Sequence, residues 1–175
     1  MYNPTPNHLH IPLSIQALVH DTHVLCEKPI DSTTAELDKL IETQQCYPLT
    51  RVVKGYMYRF HPQWRFVCEF IRNKKIGELT HMHAIYTYFN DDPENIRNQD
   101  KLGGGGLIDN GCYCVDVVKM IFNGNLKSAQ SNIDYDANFG TDWLIIGLLE
   151  FERGTTTLVC STQTYPFQQV CIQGT

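Results

Sequence analysis

Apolar and polar residues follow two different periods in the first part of the chain. Between residues 8 and 20, apolar residues recur every three or four positions, which predicts an amphipathic helix. The short apolar run His23–Cys26 is typical of a buried parallel strand. Thr33 and Glu36 have the spacing of a capping box, so a second helix is expected to begin there. The β-branched and aromatic run Arg51–Phe60 predicts another strand.

The pattern changes in the middle of the chain. A helix is predicted for Gln63–Arg72, a strand for Leu79–Phe89 and a further helix for Ile108–Phe122. A polar loop, residues 90–106, precedes this last helix and ends in four glycines. Three strand-like runs follow: Leu126–Tyr135, Trp143–Phe151 and Thr155–Thr164. Arg153–Gly154 predicts a hairpin turn between the last two.

These elements predict two units of different class, residues 1–62 and 63–175. Helix and strand alternate in the first unit, which favours the C-terminal end of an α/β domain with a parallel sheet. Strands joined by short turns dominate the second unit, which favours an α+β domain with an open, mostly antiparallel sheet. The chain begins at a strand stub and stops within a strand at residues 170–175, so we expect truncation at both ends.

Composition narrows the class of protein. Of 175 residues, 42% are hydrophobic and 19% are charged, as in globular domains. The net charge of -5, without a basic patch, argues against nucleic-acid binding. No apolar run approaches the roughly 20 residues of a membrane span, and we expect no signal peptide. Seven cysteines at irregular spacings favour reduced thiols in a cytoplasmic protein over a disulfide framework.

The tripeptide Glu27-Lys28-Pro29 follows the predicted strand His23–Cys26 directly. Ligands of open α/β sheets bind at this carboxyl edge. The ammonium of Lys28 could therefore point at a ribose or substrate hydroxyl. A surface lysine in a turn explains the tripeptide equally well, so the motif by itself leaves both alternatives open.

The glycine run Gly103–Gly106 leads into a predicted helix with Asp109 near its start and Tyr113 four residues later. This spacing puts the carboxylate and the phenol on one helix face. Asp109 could accept a hydrogen bond from a substrate hydroxyl, and Tyr113 could exchange the proton of the reacting carbinol. The alternative is an N-terminal aspartate that interacts with the helix dipole and a tyrosine that packs in the core.

Four motifs in order resemble one family. They are TPNHLH, HVLCEKP, YRFHP and GGGGLIDNGCYCVD. Their succession resembles the Gfo/Idh/MocA oxidoreductases, which include glucose–fructose oxidoreductase, inositol dehydrogenase and dimeric dihydrodiol dehydrogenase. The resemblance covers residues 3 to 165. It implies that residues 1–62 are the C-terminal portion of an NAD(P)-binding Rossmann domain, and that residues 63–175 bind substrate and dimerise.

The resemblance also implies roles for individual residues. Lys28 matches the lysine beside the nicotinamide ribose and the reacting hydroxyl, and Asp109 matches the aspartate that orients substrate. Tyr113 stands where inositol dehydrogenases carry histidine, which places the chain in the tyrosine branch. The positions expected to bind NAD or NADP are Thr5, Pro6, Asn7, His8, Glu27, Lys28 and Arg59.

The implied activity is hydride transfer between the nicotinamide and a sugar, polyol or dihydrodiol. Tyr113 would then need a pKa lowered by about 3 units, and we expect the Lys28 ammonium to lower it. No Gly-x-Gly-x-x-Gly fingerprint occurs in the 175 residues, so the isolated chain is expected to bind NAD(P) poorly and to be inactive. The alternative is a non-catalytic truncated product or a cofactor-responsive regulatory relative. The open sheet is expected to form a homo-oligomer.

Other candidate residues have simpler explanations. His81 and His83 share a strand face, but we expect no metal because no third ligand lies nearby in the sequence. Cys112 and Cys114 lack the spacing of a zinc pair. Asn7 is expected to cap the first helix. Several aromatic residues are assigned to sheet packing rather than to a sugar platform: Tyr56, Tyr58, Tyr86, Tyr88 and Phe89.

Overall fold

The first unit is a small parallel sheet with a helix in each crossover. The structure, a computed structural model, describes residues 1–30 and 33–175. Strands β1 (Tyr2–Asn3), β2 (Val24–Cys26) and β3 (Val52–Lys54) pair in that order, and all pairs are parallel. Helix α1 (His10–Val19) joins β1 to β2, and α2 (Thr34–Cys46) joins β2 to β3. The predicted alternation of helices and strands is confirmed.

Apolar spacing explains how α1 packs. Ile11 and Leu18 lie on its buried face and form a core cluster with Leu40 of α2. Ala17 of α1 is also buried, but it packs against Val24 of β2 instead. Pairs spaced three or four residues apart share one helix face, so the sequence period sets which side covers the sheet.

The predicted strand Arg51–Phe60 is wrong beyond Lys54. After β3 the chain forms a 3₁₀ turn, Met57–Phe60. Tyr56 is buried, and its ring packs edge to face against Tyr58 at 6.3 Å. Aromatic residues favour strands in general, but these rings pack against Tyr113 of the second unit, and this contact overrides the local preference.

The second unit contains a five-stranded sheet. Its strands are β4 (Leu79–Phe89), β5 (Leu126–Tyr135), β6 (Asp142–Phe151), β7 (Gly154–Ser161) and β8 (Gln163–Gly174). Their order is β5-β6-β7-β4-β8, and every pair is antiparallel except β4–β7. The mostly antiparallel sheet and the β6–β7 hairpin are confirmed. The predicted strand Thr155–Thr164 is two strands, because the chain leaves β7 at Thr162 and returns along the other edge of β4.

Two helices cover one face of this sheet. They are α3 (Pro62–Arg72) and α4 (Cys112–Phe122). Val118 of α4 is fully buried, and Phe122 stacks on Phe151 of β6 with ring centres 4.6 Å apart. On the opposite face, apolar side chains are exposed to solvent. Ile146, for example, is 49% exposed. In the described part of the chain, no helix is long and apolar enough to cross a membrane.

Candidate active site

The candidate site forms where the carboxyl edge of the first sheet meets the turn before α4. Lys28 follows β2, and its ammonium donates to Oδ1 of Asp109 at 2.8 Å and to the Asp109 carbonyl oxygen at 2.5 Å. Both side chains are mostly buried, with 13% and 14% of their surface exposed. This ion pair joins two residues that lie far apart in the sequence, one from each unit.

Asp109 collects further donors. Nε of Arg97 donates to the same oxygen, Oδ1, at 3.0 Å, and the Tyr88 hydroxyl donates to Oδ2 at 2.5 Å. Burial by itself raises the pKa of Asp109, but Lys28, Tyr88 and Arg97 outweigh burial and lower that pKa below its usual 3.8. Asp109 is therefore ionised at neutral pH and holds two cations together. The sequence pattern indicated neither Arg97, within a polar loop, nor Tyr88, which had been assigned to sheet packing.

Tyr113 lies beside Lys28, but its hydroxyl contacts another residue. The ammonium is 5.1 Å from the centre of the Tyr113 ring, a cation–π contact. The hydroxyl donates to Sδ of Met57 at 3.7 Å. Burial first, and then Cys112 and Tyr86, raise the pKa of the phenol. The expectation that Lys28 lowers this pKa is wrong, because burial of the phenol dominates and the pKa moves in the opposite direction.

Other aromatic rings surround Tyr113. Its ring centre lies 5.5 Å from that of Tyr56, 6.1 Å from that of Tyr58 and 5.8 Å from that of Tyr86. A cavity of about 550 Å³ opens beside these rings, with Trp64 in its wall. These tyrosines pack around Tyr113 at the junction of the two units, and Tyr56 and Tyr58 follow β3 rather than lying in a strand.

The backbone before α4 forms a π-helical turn, Leu107–Gly111, where a regular helix was predicted. Oδ2 of Asp142 accepts a hydrogen bond from the first N–H of this turn at 2.6 Å. The buried Asn110 side chain donates to the carbonyl oxygens of Tyr86 at 2.7 Å and Ser161 at 2.9 Å. These bonds fix the turn on the sheet, and π-helical turns are frequent at functional sites.

The glycine run folds back against Arg97. The Gly105 N–H donates to the Arg97 carbonyl at 2.9 Å. A Cβ atom on Gly104 would lie 2.5 Å from the same carbonyl oxygen, which is too close for any other residue. The Asn95 side chain accepts from the Arg97 N–H at 3.1 Å. The backbone that carries Arg97 is therefore held from both sides.

The loop after β1 also reaches the glycine run. Nδ2 of Asn7 donates to the Gly103 carbonyl at 2.8 Å. The expectation that Asn7 caps α1 is wrong, because the residue before α1 is Leu9. The buried His10 ring lies between two carbonyl oxygens, 2.6 Å from that of Pro29 and 2.8 Å from that of Thr5. His10 thus ties this loop to the turn that carries Lys28, a role that the sequence pattern did not indicate.

The other residues expected to bind cofactor lie around this junction. Pro6 and His8 belong to the same loop, where His8 is exposed. Oε1 of Glu27 accepts a hydrogen bond from the hydroxyl of Tyr2 in β1 at 2.8 Å. Arg59 donates to both carboxylate oxygens of Asp116, at 2.7 and 2.8 Å. Cofactor contacts of all these residues stay predictions.

The two strand histidines hydrogen-bond across the sheet. Nδ1 of His81 lies 3.2 Å from Oγ1 of Thr155, and Nδ1 of His83 lies 2.6 Å from Oγ1 of Thr157. Within residues 1–30 and 33–175, no three His, Cys, Asp or Glu side chains are grouped so that they could hold a metal ion.

Two family models match the chain. Residues 64–175 match the GFO/IDH/MocA C-terminal domain. Residues 4–53 match the oxidoreductase family described as an NAD-binding Rossmann fold.

Curated relatives are similar over nearly the whole chain. An uncharacterized oxidoreductase, ORF334, of Rhizobium meliloti is 37% identical over 100% of the chain and 52% of its own length. D-xylose 1-dehydrogenase (NADP(+)) 2 of Haloferax volcanii is 28% identical over 97% of the chain and 51% of its own length. Trans-1,2-dihydrobenzene-1,2-diol dehydrogenase of Xenopus laevis is 28% identical over 88% of the chain and 46% of its own length. The chain thus spans about half the length of these relatives.

Solved structures share the fold. The aldose-aldose oxidoreductase from Caulobacter crescentus, in complex with glycerol, superposes with a TM-score of 0.93 at 23% identity. The match covers 99% of this chain and 53% of that protein. An NAD-binding protein from Listeria innocua gives a TM-score of 0.87 at 25% identity, over 99% of this chain and 52% of that one.

Proposed function

Because the chain belongs to the GFO/IDH/MocA oxidoreductase family, we propose that this protein transfers a hydride between NAD or NADP and a sugar, polyol or dihydrodiol. The observation that carries the proposal is the meeting of Lys28 from the first unit with Asp109 and Tyr113 from the second. Relatives named for D-xylose and dihydrodiol oxidation support the substrate class.

The polar groups at the carboxyl edge of the first sheet fit the nicotinamide end of such a cofactor. Lys28 offers an ammonium and Glu27 a carboxylate, which suit the hydroxyls of a ribose. Thr5, Pro6, Asn7 and His8 form the adjacent loop, which Asn7 fastens to the glycine run. When bound, the nicotinamide gives or takes the hydride. We assign these residues and Arg59 to the cofactor side of the site.

Protons at the reacting oxygen are the task of Lys28 and Tyr113. A tyrosine phenol is protonated at neutral pH, and burial raises the pKa of Tyr113 further. Its role in the proposal is to donate this proton when a carbonyl is reduced. The Lys28 ammonium has three N–H groups, of which two are bonded to Asp109. The third can stabilise negative charge on the substrate oxygen. Asp109 orients the ammonium.

The test uses the full-length protein and sugars, polyols and dihydrodiols, with absorbance of the reduced nicotinamide as readout. Lys28→Ala and Tyr113→Phe should each lower turnover by about 100-fold or more, since both remove a group at the reacting oxygen. Lys101→Ala is the control, because Lys101 is exposed in the loop beyond Arg97. Unchanged turnover in Lys28→Ala would refute the proposal.

The open face of the second sheet supports a homodimer. Ile146 and Leu148 of β6 are 49% and 42% exposed there, and apolar surface of this kind marks association sites. Ile146→Lys should convert the full-length protein to a monomer in sedimentation, whereas Lys127→Glu at the edge strand should not. A dimer that survives Ile146→Lys would place the interface elsewhere.

We also propose a cytoplasmic location, since all seven cysteines are free thiols.

A further inference from the structure

We propose that Arg97 is a specificity-determining residue that, together with Lys28, recognises two oxygens on adjacent carbons of the substrate. The proposal rests on the dehydrogenase function proposed above and deepens it. It assigns the reacting oxygen to Lys28 and the oxygen of the neighbouring carbon to Arg97. The substrate class is then a vicinal diol or hydroxyketone, a feature that sugars, polyols and dihydrodiols share.

The first argument is that the two cations converge. The Lys28 ammonium and Nε of Arg97 lie 2.8 and 3.0 Å from one oxygen, Oδ1 of Asp109. Donors that share an acceptor are close neighbours. Two oxygens on adjacent carbons are also close neighbours, so one substrate can bond to the Lys28 ammonium and to the Arg97 guanidinium at once.

The second argument is the donor capacity that remains. A guanidinium carries five N–H groups, and Arg97 uses the one on Nε for Asp109. The only other side-chain bond it makes to a described residue is a long one, 3.5 Å, from Nη1 to Oδ1 of Asn95. Nearly half of the Arg97 side chain, 46%, is exposed. Nη2 is therefore available to a ligand oxygen.

The third argument is that Asp109 is largely occupied. Its Oδ1 accepts from Lys28 and Arg97, and its Oδ2 accepts from Tyr88. A substrate hydroxyl that bonded to this carboxylate would have only the remaining lone pair of Oδ2 as its acceptor. The geometry gives Asp109 the task of holding two cations in register, and leaves recognition of the substrate to the cations themselves.

The backbone of Arg97 is built to hold this position. Asn98, the next residue, is 3% exposed, and its amide donates to the Asp92 carbonyl at 2.9 Å. Gly104 and Gly105 pack against the Arg97 carbonyl from the other side. An arginine that served only as a solvated surface charge would not require a loop anchored on both sides.

The test compares a diol with the matching monoalcohol in the full-length protein. Trans-1,2-cyclohexanediol and cyclohexanol differ by the second hydroxyl only. We expect kcat/KM to favour the diol, and Arg97→Gln to reduce the ratio of the two kcat/KM values by about ten- to 100-fold, since a bond to a charged donor is lost. Lys101→Gln, in the same loop, should leave the ratio unchanged. An equal loss for both alcohols in Arg97→Gln would show that Arg97 only positions Asp109, and would overturn the proposal.

A binding experiment separates this proposal from the proposed function. The Nε–H resonance of Arg97, assigned by its loss in Arg97→Gln, should shift on titration of the full-length protein with the diol and stay in place with cyclohexanol. If wild-type protein oxidises neither alcohol but the resonance shifts with the diol, the dehydrogenase function fails and the recognition role stands. If the resonance does not respond to the diol, the recognition role fails, whatever the turnover.

Discussion

Asp109 and Asp116 lie about two turns apart in the same helical segment, and each accepts hydrogen bonds from an arginine and a tyrosine. Asp116 receives both bonds from the fork of Arg59, and the Tyr58 hydroxyl donates to it as well. Asp109 receives only the Nε bond of Arg97, and shares the accepting oxygen with a second cation. The same residue types thus form a two-bond ion pair with one arginine at Asp116, and a one-bond ion pair with each of two cations at Asp109.

The difference lies in how many cations each carboxylate holds. At Asp116 the two groups match as a fork against a carboxylate, which is the geometry of a structural clamp. This clamp ties the turn after β3 to α4. At Asp109 a single oxygen holds Lys28 and Arg97 together, and both keep N–H groups for a ligand. Asp109 therefore brings the donors of two cations to one place, whereas Asp116 binds one arginine.

The largest effect that would sharpen this comparison is on turnover. Asp109→Asn should lower kcat of the full-length protein by about 100-fold or more, because the amide cannot hold two cations on one oxygen. Asp116→Asn should keep kcat within about tenfold, since its partners do not touch Lys28. Steady-state assays of both variants check this, and equal losses would erase the distinction between the two aspartates.

A smaller effect is expected on stability, with the order of the two sites reversed. Arg59→Ala leaves the 8% exposed Asp116 without its fork, which should cost about 2–3 kcal/mol in the free energy of unfolding. Arg97→Ala leaves Asp109 with Lys28 and Tyr88, so the cost should stay near 1 kcal/mol. Urea unfolding of the two variants measures both values. A larger loss in Arg97→Ala would mean that Asp109 is the structural clamp.

The smallest effect is a pH dependence from Asp109. Its pKa is lowered in the folded state, so the unfolded chain takes up the proton first as the pH falls. The stability that Asp109 adds should be complete well above pH 3.8 and should decline as the pH falls below that value toward the lowered pKa. Urea unfolding of the wild type and Asp109→Asn across this range gives the difference. A difference that stays constant down to acid pH would contradict the lowered pKa.

Much of the fold follows from sequence pattern. The period of apolar residues located α1 and α3, and the β-branched runs located β4, β5 and β6, all to within one or two residues. The end of α4 was predicted correctly, but α4 begins four residues later than predicted, after the π-helical turn. Two of the errors share one cause. Tyr56 and Tyr58 favour strands locally, but their rings pack against Tyr113. The predicted strand Thr155–Thr164 is interrupted at Thr162 because β8 pairs with β4. Both choices depend on partners distant in the sequence.

The sequence by itself determined the two types of sheet and the order of most elements, because these depend on local periods. Motifs in fixed order predicted the candidate residues Lys28, Asp109 and Tyr113. Only the tertiary structure decided that Asp109 holds two cations, that Tyr88 and Arg97 belong to the site, and that Lys28 lies over the ring of Tyr113. Hydrogen-bond partners and burial decide these points. They arise when segments distant in the sequence are brought within about 3 Å, and a local pattern does not encode that distance.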